Sequence, residues 1–227
     1  MPRILHFTSG PDGWQALLAE PKKHWKTAYS ARTLAYCWED ADGFPEEIAS
    51  ALAKSNDPLL AGIQPVLAVP EFKVPLPGGE RASQNDVFVL ARSKSGPVSI
   101  MVEGKVNETF GPTVDEWSAE ASPGKKTRLS FLLRTVGLPK KIDGAIRYQL
   151  LHRTASAIIV GEQYRAAAAV MLVHSFSAKR AGWSDYRAFL NLYGVRAEVG
   201  QPQRLPGEQA VPLFAVWVPG NPKFLTS

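Results

Sequence analysis

The stretch 85–106 constrains the fold of this chain more than any other because it predicts two neighbouring β-strands. An apolar run at 87–91 forms the first strand, and a longer run at 98–106 forms the second. The residues Ser95-Gly96-Pro97 lie between the two runs and favour a tight turn. The chain is therefore predicted to contain a β-hairpin, with its other elements arranged around that hairpin.

Two charged side chains interrupt the apolar second strand on one of its faces. Because side chains alternate between the faces of a strand, Glu103 and Lys105 project from the same side. Asp86 opens the first strand, so pairing of the two strands brings its carboxylate close to Glu103. Hard carboxylate oxygens suit Mg²⁺, and the pattern therefore predicts a metal site. A second reading stays open, in which Asp86 is a turn residue and Glu103 and Lys105 are a solvated ion pair.

The same residues resemble the signature of the PD-(D/E)XK nuclease superfamily, whose members share the restriction-endonuclease-like fold. In that superfamily an acidic residue opens one strand, and an acid-x-lysine tripeptide follows on the next strand. Asp86 matches the first acid and Glu103-Gly104-Lys105 matches the tripeptide, whereas Asn85 stands where the family name has proline. The resemblance covers about residues 60–177.

The resemblance implies a metal-dependent phosphodiester hydrolase (nuclease) that acts on DNA, with RNA as the less favoured substrate. The alternative is a non-catalytic protein of the same fold that binds nucleic acid or a protein partner. Many enzymes of that fold are homodimers, and the sequence leaves open whether this chain forms one.

Each residue of the motif has an implied role. Asp86 and Glu103 would hold the Mg²⁺ (or Mn²⁺) ion. Gly104 has no side chain, so its backbone carbonyl could approach the same ion closely. Lys105 would orient or deprotonate the attacking water. Glu39, on a predicted N-terminal helix, is the candidate for a further acid at the site, although a solvated helix carboxylate is the plainer reading.

Later helices supply candidates for contact with a substrate. A helix predicted over about 145–164 carries Gln149 and Arg153, which by the resemblance could reach the metal site or a scissile phosphate. His152 on that helix is interpreted as a structural or surface residue. An earlier predicted helix carries basic residues in its first turns, namely Lys125, Lys126 and Arg128. Cations there oppose the helix dipole, which hints at an external anion such as nucleic acid, with solvated side chains as the alternative.

The order of predicted elements indicates a single α/β domain over 1–227, with a mixed central β-sheet flanked by helices. The resemblance implies that the core of this domain is restriction-endonuclease-like. The extended segment 66–76 contains two prolines, which favour an edge strand. A continuous apolar run at 168–176 predicts a strand covered on both faces. Further elements are helices from Ser30, Pro45, Ser122 and Ser184 and a terminal strand at 213–218.

Composition narrows the classes of protein that fit. The formal charge of +5 and the sequence pI near 9.3 are compatible with a polyanionic partner. Cys37 is the single cysteine, so it forms no intrachain disulfide, and we interpret it as a packing residue in a reducing compartment. We expect a cytoplasmic protein, because no secretory signal is evident and the longest apolar run, 166–173, is far short of a membrane span. A G-x-S-x-G motif is absent, and the four histidines lack the close spacing of paired metal ligands.

Overall fold

The computed structural model describes residues 10–120 and 122–227, which build a six-stranded mixed β-sheet with helices packed on both faces. The predicted α/β class is confirmed. Across the sheet the strands run in the order β1-β2-β3-β4-β6-β5. Their bounds are β1 (Gln64–Val74), β2 (Ser83–Ser93), β3 (Gly96–Lys105), β4 (Ala168–Ser175), β5 (Gln203–Leu205) and β6 (Leu213–Pro219).

Seven α-helices lie within the described residues. They are α1 (Pro21–His24), α2 (Ser30–Glu39), α3 (Glu46–Ala53), α4 (Val114–Ser118), α5 (Pro123–Thr135), α6 (Tyr148–Gln163) and α7 (Trp183–Asn191). Short 3₁₀ helices occupy Pro11–Leu17, Pro58–Leu60 and Pro222–Thr226. Within the described part of the chain, no helix combines the length and apolar character that a membrane crossing requires.

The predicted hairpin is confirmed as β2 and β3, whose antiparallel pairs run from Val87↔Val102 to Ser93↔Gly96. The turn therefore consists of Lys94 and Ser95, one residue earlier than the predicted turn. Gly96 has φ of 133°, a conformation that a residue with a side chain rarely adopts. β1 adds to β2 in antiparallel fashion and forms one edge of the sheet, as the prolines of that segment predicted.

The other half of the sheet is mostly parallel. β4 pairs in parallel with β3 on one side and with β6 on the other, and the short β5 closes the far edge in antiparallel fashion. Every residue of β4 is buried, as the continuous apolar run predicted. Helix α6 follows α4 and α5 in the connection from β3 to β4 and packs across both strands. Its first turn lies at the end of β3, where Gln149 contacts Lys105.

The sheet separates two hydrophobic cores. One core lies beneath α5, α6 and α7 and includes Phe88, Met101 and Trp217. The other core lies beneath α2 and α3 and includes Ile100 and Leu172. Because burial of one large apolar side chain contributes roughly 1.5–3 kcal/mol, these two layers hold the helices firmly on the sheet.

Two helix starts and one strand differ from the sequence-based expectation. Helix α7 begins at Trp183 after Gly182, whose φ of 82° turns the chain into the helix, so Ser184 is not its cap. Ser30 is the first residue of α2, and Tyr29 occupies the cap position. The three-residue strand β5 had no recognisable apolar alternation and was not predicted. By contrast, Ser122 caps α5 as predicted, because its hydroxyl accepts a hydrogen bond from the Lys125 amide.

Candidate functional site

Three carboxylates stand in a row across β1, β2 and β3. The pair Val87↔Val102 puts Asp86 opposite Glu103, and the flanking pairs of β1 and β2 put Glu71 opposite Asp86. All three side chains line one pocket of about 330 Å³. The pocket lies on the face of the sheet that α6 covers, near the carboxyl end of β3 in the antiparallel meander formed by β1, β2 and β3.

Glu103 is clamped between two cations. Its side chain is only 3% exposed; its Oε1 accepts a hydrogen bond from Lys105 Nζ at 2.7 Å, and its Oε2 accepts one from Arg153 Nε at 2.5 Å. Burial disfavours the charged carboxylate, but Arg153 and Lys105 outweigh burial and lower the pKa of Glu103 to about 2. Glu103 is therefore ionised throughout the physiological range.

Asp86 and Glu71 behave in the opposite way. Burial and the charge of Glu103 raise the pKa of Asp86 to about 7, although its side chain is still 20% exposed. Burial and the charge of Asp86 raise the pKa of Glu71 to about 8. Arg153 NH2 lies 3.8 Å from Asp86 Oδ1, and Gln84 donates a hydrogen bond of 2.6 Å to Glu71. Three acids thus share two nearby cations, and near neutral pH the group retains protons that a metal ion could displace.

The side chains of this pocket fit a divalent cation of the Mg²⁺ type. Such ions prefer hard oxygen ligands and are usually held by one or two carboxylates, with water completing the shell. Asp86 and Glu103 provide these carboxylates, and Glu71 provides a third. The oxygens of Glu103 already accept hydrogen bonds, but each carboxylate oxygen has a second lone pair that remains available.

Gly104 lies between Glu103 and Lys105 in the chain, and its Cα faces α2 on the opposite side of the sheet. Its backbone amide donates a hydrogen bond of 2.8 Å to Asp86 Oδ2, which fixes that carboxylate against β3. A Cβ atom on this glycine would lie 3.2 Å from Leu34 Cδ2, tighter than ordinary packing. The glycine therefore lets α2 approach the strand closely, and a role for its carbonyl in metal binding stays a prediction.

Helix α6 delivers two polar side chains to the pocket at i, i+4 spacing. Gln149 accepts a hydrogen bond of 3.1 Å from Lys105 Nζ, and Arg153 bonds Glu103 as described. His152 faces Ser83, with 2.8 Å between Nδ1 and Oγ. Burial and the charge of Arg153 lower the pKa of His152 well below its usual range, so the imidazole is neutral and structural.

Glu71 is the functional candidate that the sequence reasoning missed. It lies in the proline-broken segment of β1 and has φ of 53°, which is unusual for a residue with a side chain. This conformation interrupts the regular alternation of the strand. Antiparallel pairing of the segment 66–76 with β2 could have identified Glu71, because that pairing places it opposite Asp86.

The structure does not bring Glu39 to this site. Its carboxylate accepts a hydrogen bond of 2.8 Å from Trp14 Nε1, and Glu39 is not among the residues that line the pocket. Ser30 and Ala31, at the start of α2, do line it. Glu39 ends the same helix, about 13 Å farther along its axis. The expectation that Glu39 supplies a further acid was wrong, and Glu71 occupies that place.

Arg128 is not available to nucleic acid. Its buried guanidinium donates hydrogen bonds to the carbonyl oxygens of Leu76, Pro77 and Gly79 at 2.9–3.2 Å. This arginine therefore fastens α5 to the turn that precedes β2, which corrects its predicted role as a nucleic-acid contact.

The two neighbouring lysines have surroundings of their own. Lys125 Nζ lies 5.6 Å from the ring centroid of Trp117. Lys126 lines a separate depression beside Phe131. Neither lysine lines the carboxylate pocket, so contact with nucleic acid through them stays a prediction that concerns another part of the surface.

Comparison with known proteins identifies a family. The family model described as "Domain of unknown function (DUF6946)" matches residues 7–222, which is nearly the whole chain, and the protein belongs to that family. Neither the curated proteins nor the solved structures contain a match to this chain.

Proposed function

We propose that this member of the DUF6946 family is a metal-dependent phosphodiester hydrolase (nuclease) that acts on DNA. The observation that carries the proposal is the convergence of Asp86, Glu103 and Lys105 on one pocket. The order of elements also supports it, since a helix, an antiparallel meander, α6 and a parallel β4 agree with the core that the PD-(D/E)XK resemblance implies. The buried, reduced thiol of Cys37 suits work in the cytoplasm.

Asp86 and Glu103 would hold a Mg²⁺ or Mn²⁺ ion, with Glu71 as a further oxygen ligand. Such an ion lowers the pKa of bound water and offsets charge on phosphate oxygens. Lys105 Nζ is held by Glu103 and by Gln149, so its ammonium group is positioned before any substrate arrives. That fixed position suits a group that orients the attacking water or exchanges a proton with it.

Arg153 has a supporting role in this scheme. Its guanidinium is hydrogen-bonded to Glu103 and lies beside Asp86. Its positive charge therefore offsets the repulsion between these two close carboxylates. It also lines the pocket, where a buried cation can attract a phosphate. We assign Arg153 to positioning of the carboxylates.

A second function has one specific observation in its favour. Both oxygens of Glu103 already accept hydrogen bonds from cations of the protein itself, which is the arrangement of a self-sufficient structural network. A non-catalytic protein of the same fold that binds nucleic acid or a protein partner would retain such a network. The two functions differ in whether a divalent metal binds and whether cleavage follows.

The test measures metal binding and cleavage separately. Mn²⁺ binding is followed by calorimetry, and cleavage is followed on duplex DNA, single-stranded DNA and RNA with Mg²⁺ or with a chelator. Glu103→Ala should abolish both, because it removes a ligand. Lys105→Ala should retain Mn²⁺ binding and reduce the cleavage rate about 10²- to 10⁴-fold, the usual contribution of an acid–base group.

Glu162→Gln is the matched control, because Glu162 is an exposed acid at the other end of α6 and should leave both measurements unchanged. Normal Mn²⁺ binding without cleavage of any substrate would favour the non-catalytic alternative. Absence of Mn²⁺ binding to the wild-type protein would overturn the metal site and the hydrolase proposal together.

A further inference from the structure

A second group of ligand-type side chains lies on the opposite face of the sheet. Cys37 on α2, Glu47 on α3 and His174 on β4 offer one sulfur, one oxygen and one nitrogen, all within 4.8 Å of one another. Cys37 and His174 are buried, whereas about a fifth of the Glu47 side chain is exposed. None of the three takes part in the proposed hydrolase site.

The three groups meet at a single oxygen atom. Glu47 Oε1 lies 3.0 Å from His174 Nε2 and 3.7 Å from Cys37 Sγ. The same oxygen accepts a hydrogen bond of 3.1 Å from the Asn221 amide. The carboxylate of Glu47 on α3 therefore already has hydrogen-bond partners on α2, on β4 and in the segment after β6.

These separations are close to the edges of a tetrahedral zinc site. Zinc bonds of about 2.3 Å to sulfur and about 2.0 Å to nitrogen or oxygen give ligand separations of roughly 3.5 Å for sulfur–oxygen and roughly 3.3 Å for nitrogen–oxygen. The pairs at 3.7 Å and 3.0 Å differ from these values by only a few tenths of an ångström. The sulfur–nitrogen pair lies within 4.8 Å and must come to roughly 3.5 Å, so a side-chain movement of about 1 Å would complete the geometry.

A cavity beside the three residues gives a metal ion access to them and leaves room for a fourth ligand. A cavity of about 230 Å³ opens onto Cys37 and Glu47, and Asp40 and Asn221 also line it. The fourth position can thus be taken by water or by a carboxylate of the cavity wall. Nδ1 of the fully buried His174 has no hydrogen-bond partner among the described residues, so it can carry the ring proton and leave Nε2, the nitrogen beside Glu47, free to bind a metal.

We propose that Cys37, Glu47 and His174 bind one Zn²⁺ ion, which ties α2 and α3 to β4. This role is structural and goes beyond the proposed hydrolase, whose oxygen ligands lie across the sheet and suit harder ions. Coordination replaces two hydrogen bonds to Glu47 by metal bonds. The Cys37 thiol releases its proton to solvent when sulfur becomes a ligand, and the Nε2 proton of His174 moves to Nδ1, so that Nε2 offers its lone pair to the ion.

Cobalt makes the site visible in the full-length protein. Metal-free protein is titrated with Co²⁺, and a sulfur-to-cobalt charge-transfer band in the near ultraviolet should reach its limit at one equivalent. The band should persist in Glu103→Ala, because that variant alters only the opposite face, and it should vanish in Cys37→Ser. The failure of this site is thus distinguishable from the failure of the hydrolase site.

Zinc affinity is then measured by competition with a chromophoric chelator. Cys37→Ser should weaken Zn²⁺ binding by more than about 100-fold, since loss of an outer-sphere partner alone costs 10- to 100-fold. Glu47→Gln keeps the size of the side chain and should also weaken binding, which preserves the test if Cys37→Ser does not fold. Zn²⁺ should raise the melting temperature of the wild-type protein and leave that of Cys37→Ser unchanged.

The result that would overturn the inference is equally specific. A Co²⁺ spectrum without the thiolate band, or equal Zn²⁺ affinity in the wild type and Cys37→Ser, would reduce the three residues to a hydrogen-bonded group that only packs α2 and α3 on the sheet.

Discussion

Replacement of Arg153 by methionine tests how the carboxylate pocket is held together. Arg153 is 7% exposed and bonds Glu103 at 2.5 Å, with Asp86 at 3.8 Å. Removal of one partner from a buried ion pair typically costs about 3–5 kcal/mol, because the other charge is left uncompensated. Glu103 keeps its hydrogen bond to Lys105, so we expect Arg153→Met to lower the free energy of unfolding by about 3 kcal/mol, at the lower end of that range.

A double-mutant cycle separates this loss of pairing from loss of packing. In a Glu103→Gln background the buried charge is already absent, and the cost of Arg153→Met should fall by about 1–3 kcal/mol, the range of coupling between residues in contact. The assay is equilibrium unfolding in urea with a chelator at neutral pH, followed by circular dichroism. Arg92→Met is the matched control: Arg92 is exposed on β2, and its loss should change stability by less than about 0.5 kcal/mol.

Divalent metal provides a second readout. A cation at the pocket takes over part of the charge compensation that Arg153 supplied, so Mg²⁺ should stabilise Arg153→Met more than the wild type. The reasoning is refuted if Arg153→Met costs less than about 1 kcal/mol, or if its cost is the same with and without Glu103.

Two further predictions concern stability in the absence of metal. Because the pKa values of Asp86 and Glu71 are raised from ordinary values of 3.8 and 4.5 to about 7 and about 8, the folded protein holds protons that the unfolded chain releases. The free energy of unfolding should therefore fall as the pH rises from about 4 to 8, and the midpoint of urea unfolding at each pH measures this fall. An equally steep fall in an Asp86→Asn variant would contradict the prediction. Gly78→Ala should destabilise more than Gly194→Ala in thermal melts, since both have positive φ but only the first would place a Cβ 2.1 Å from the Gly124 carbonyl oxygen. Equal losses in the two variants would contradict the close approach.

The sequence predicted the parts of the site that depend on local regularity. Alternation along β2 and β3 depends on backbone geometry alone, so Asp86, Glu103 and Lys105 could be assigned to one face before the structure was known. Helical spacing likewise predicted that Gln149 and Arg153 share a face of α6. The spacing could not show which strand residues they meet, because that depends on how α6 packs across β3 and β4.

The errors arose where contacts between distant segments determine the environment. Arg128 belongs to a basic cluster in the sequence, and nothing local distinguishes it from the exposed Lys126. Its burial depends on the turn at Gly78, whose backbone meets that of Gly124 so closely that neither position has room for a side chain. Glu39 was misassigned for a similar reason. The helical pattern predicted α2 but could not show which end of that helix lies at the pocket.

The arrangement of the pocket along the chain has a consequence for the order of folding. Glu71, Asp86 and Glu103 all lie on a meander of short connections, whereas Arg153 is 50 residues beyond Glu103. Short loops close faster and at lower entropic cost than long ones, so we expect the three acids to gather before their main cation arrives. Their mutual repulsion then opposes the early meander. Divalent ions or mildly acidic pH should therefore accelerate refolding in stopped-flow experiments. In their absence, the repulsion between the acids of the pocket would slow the folding of the sheet.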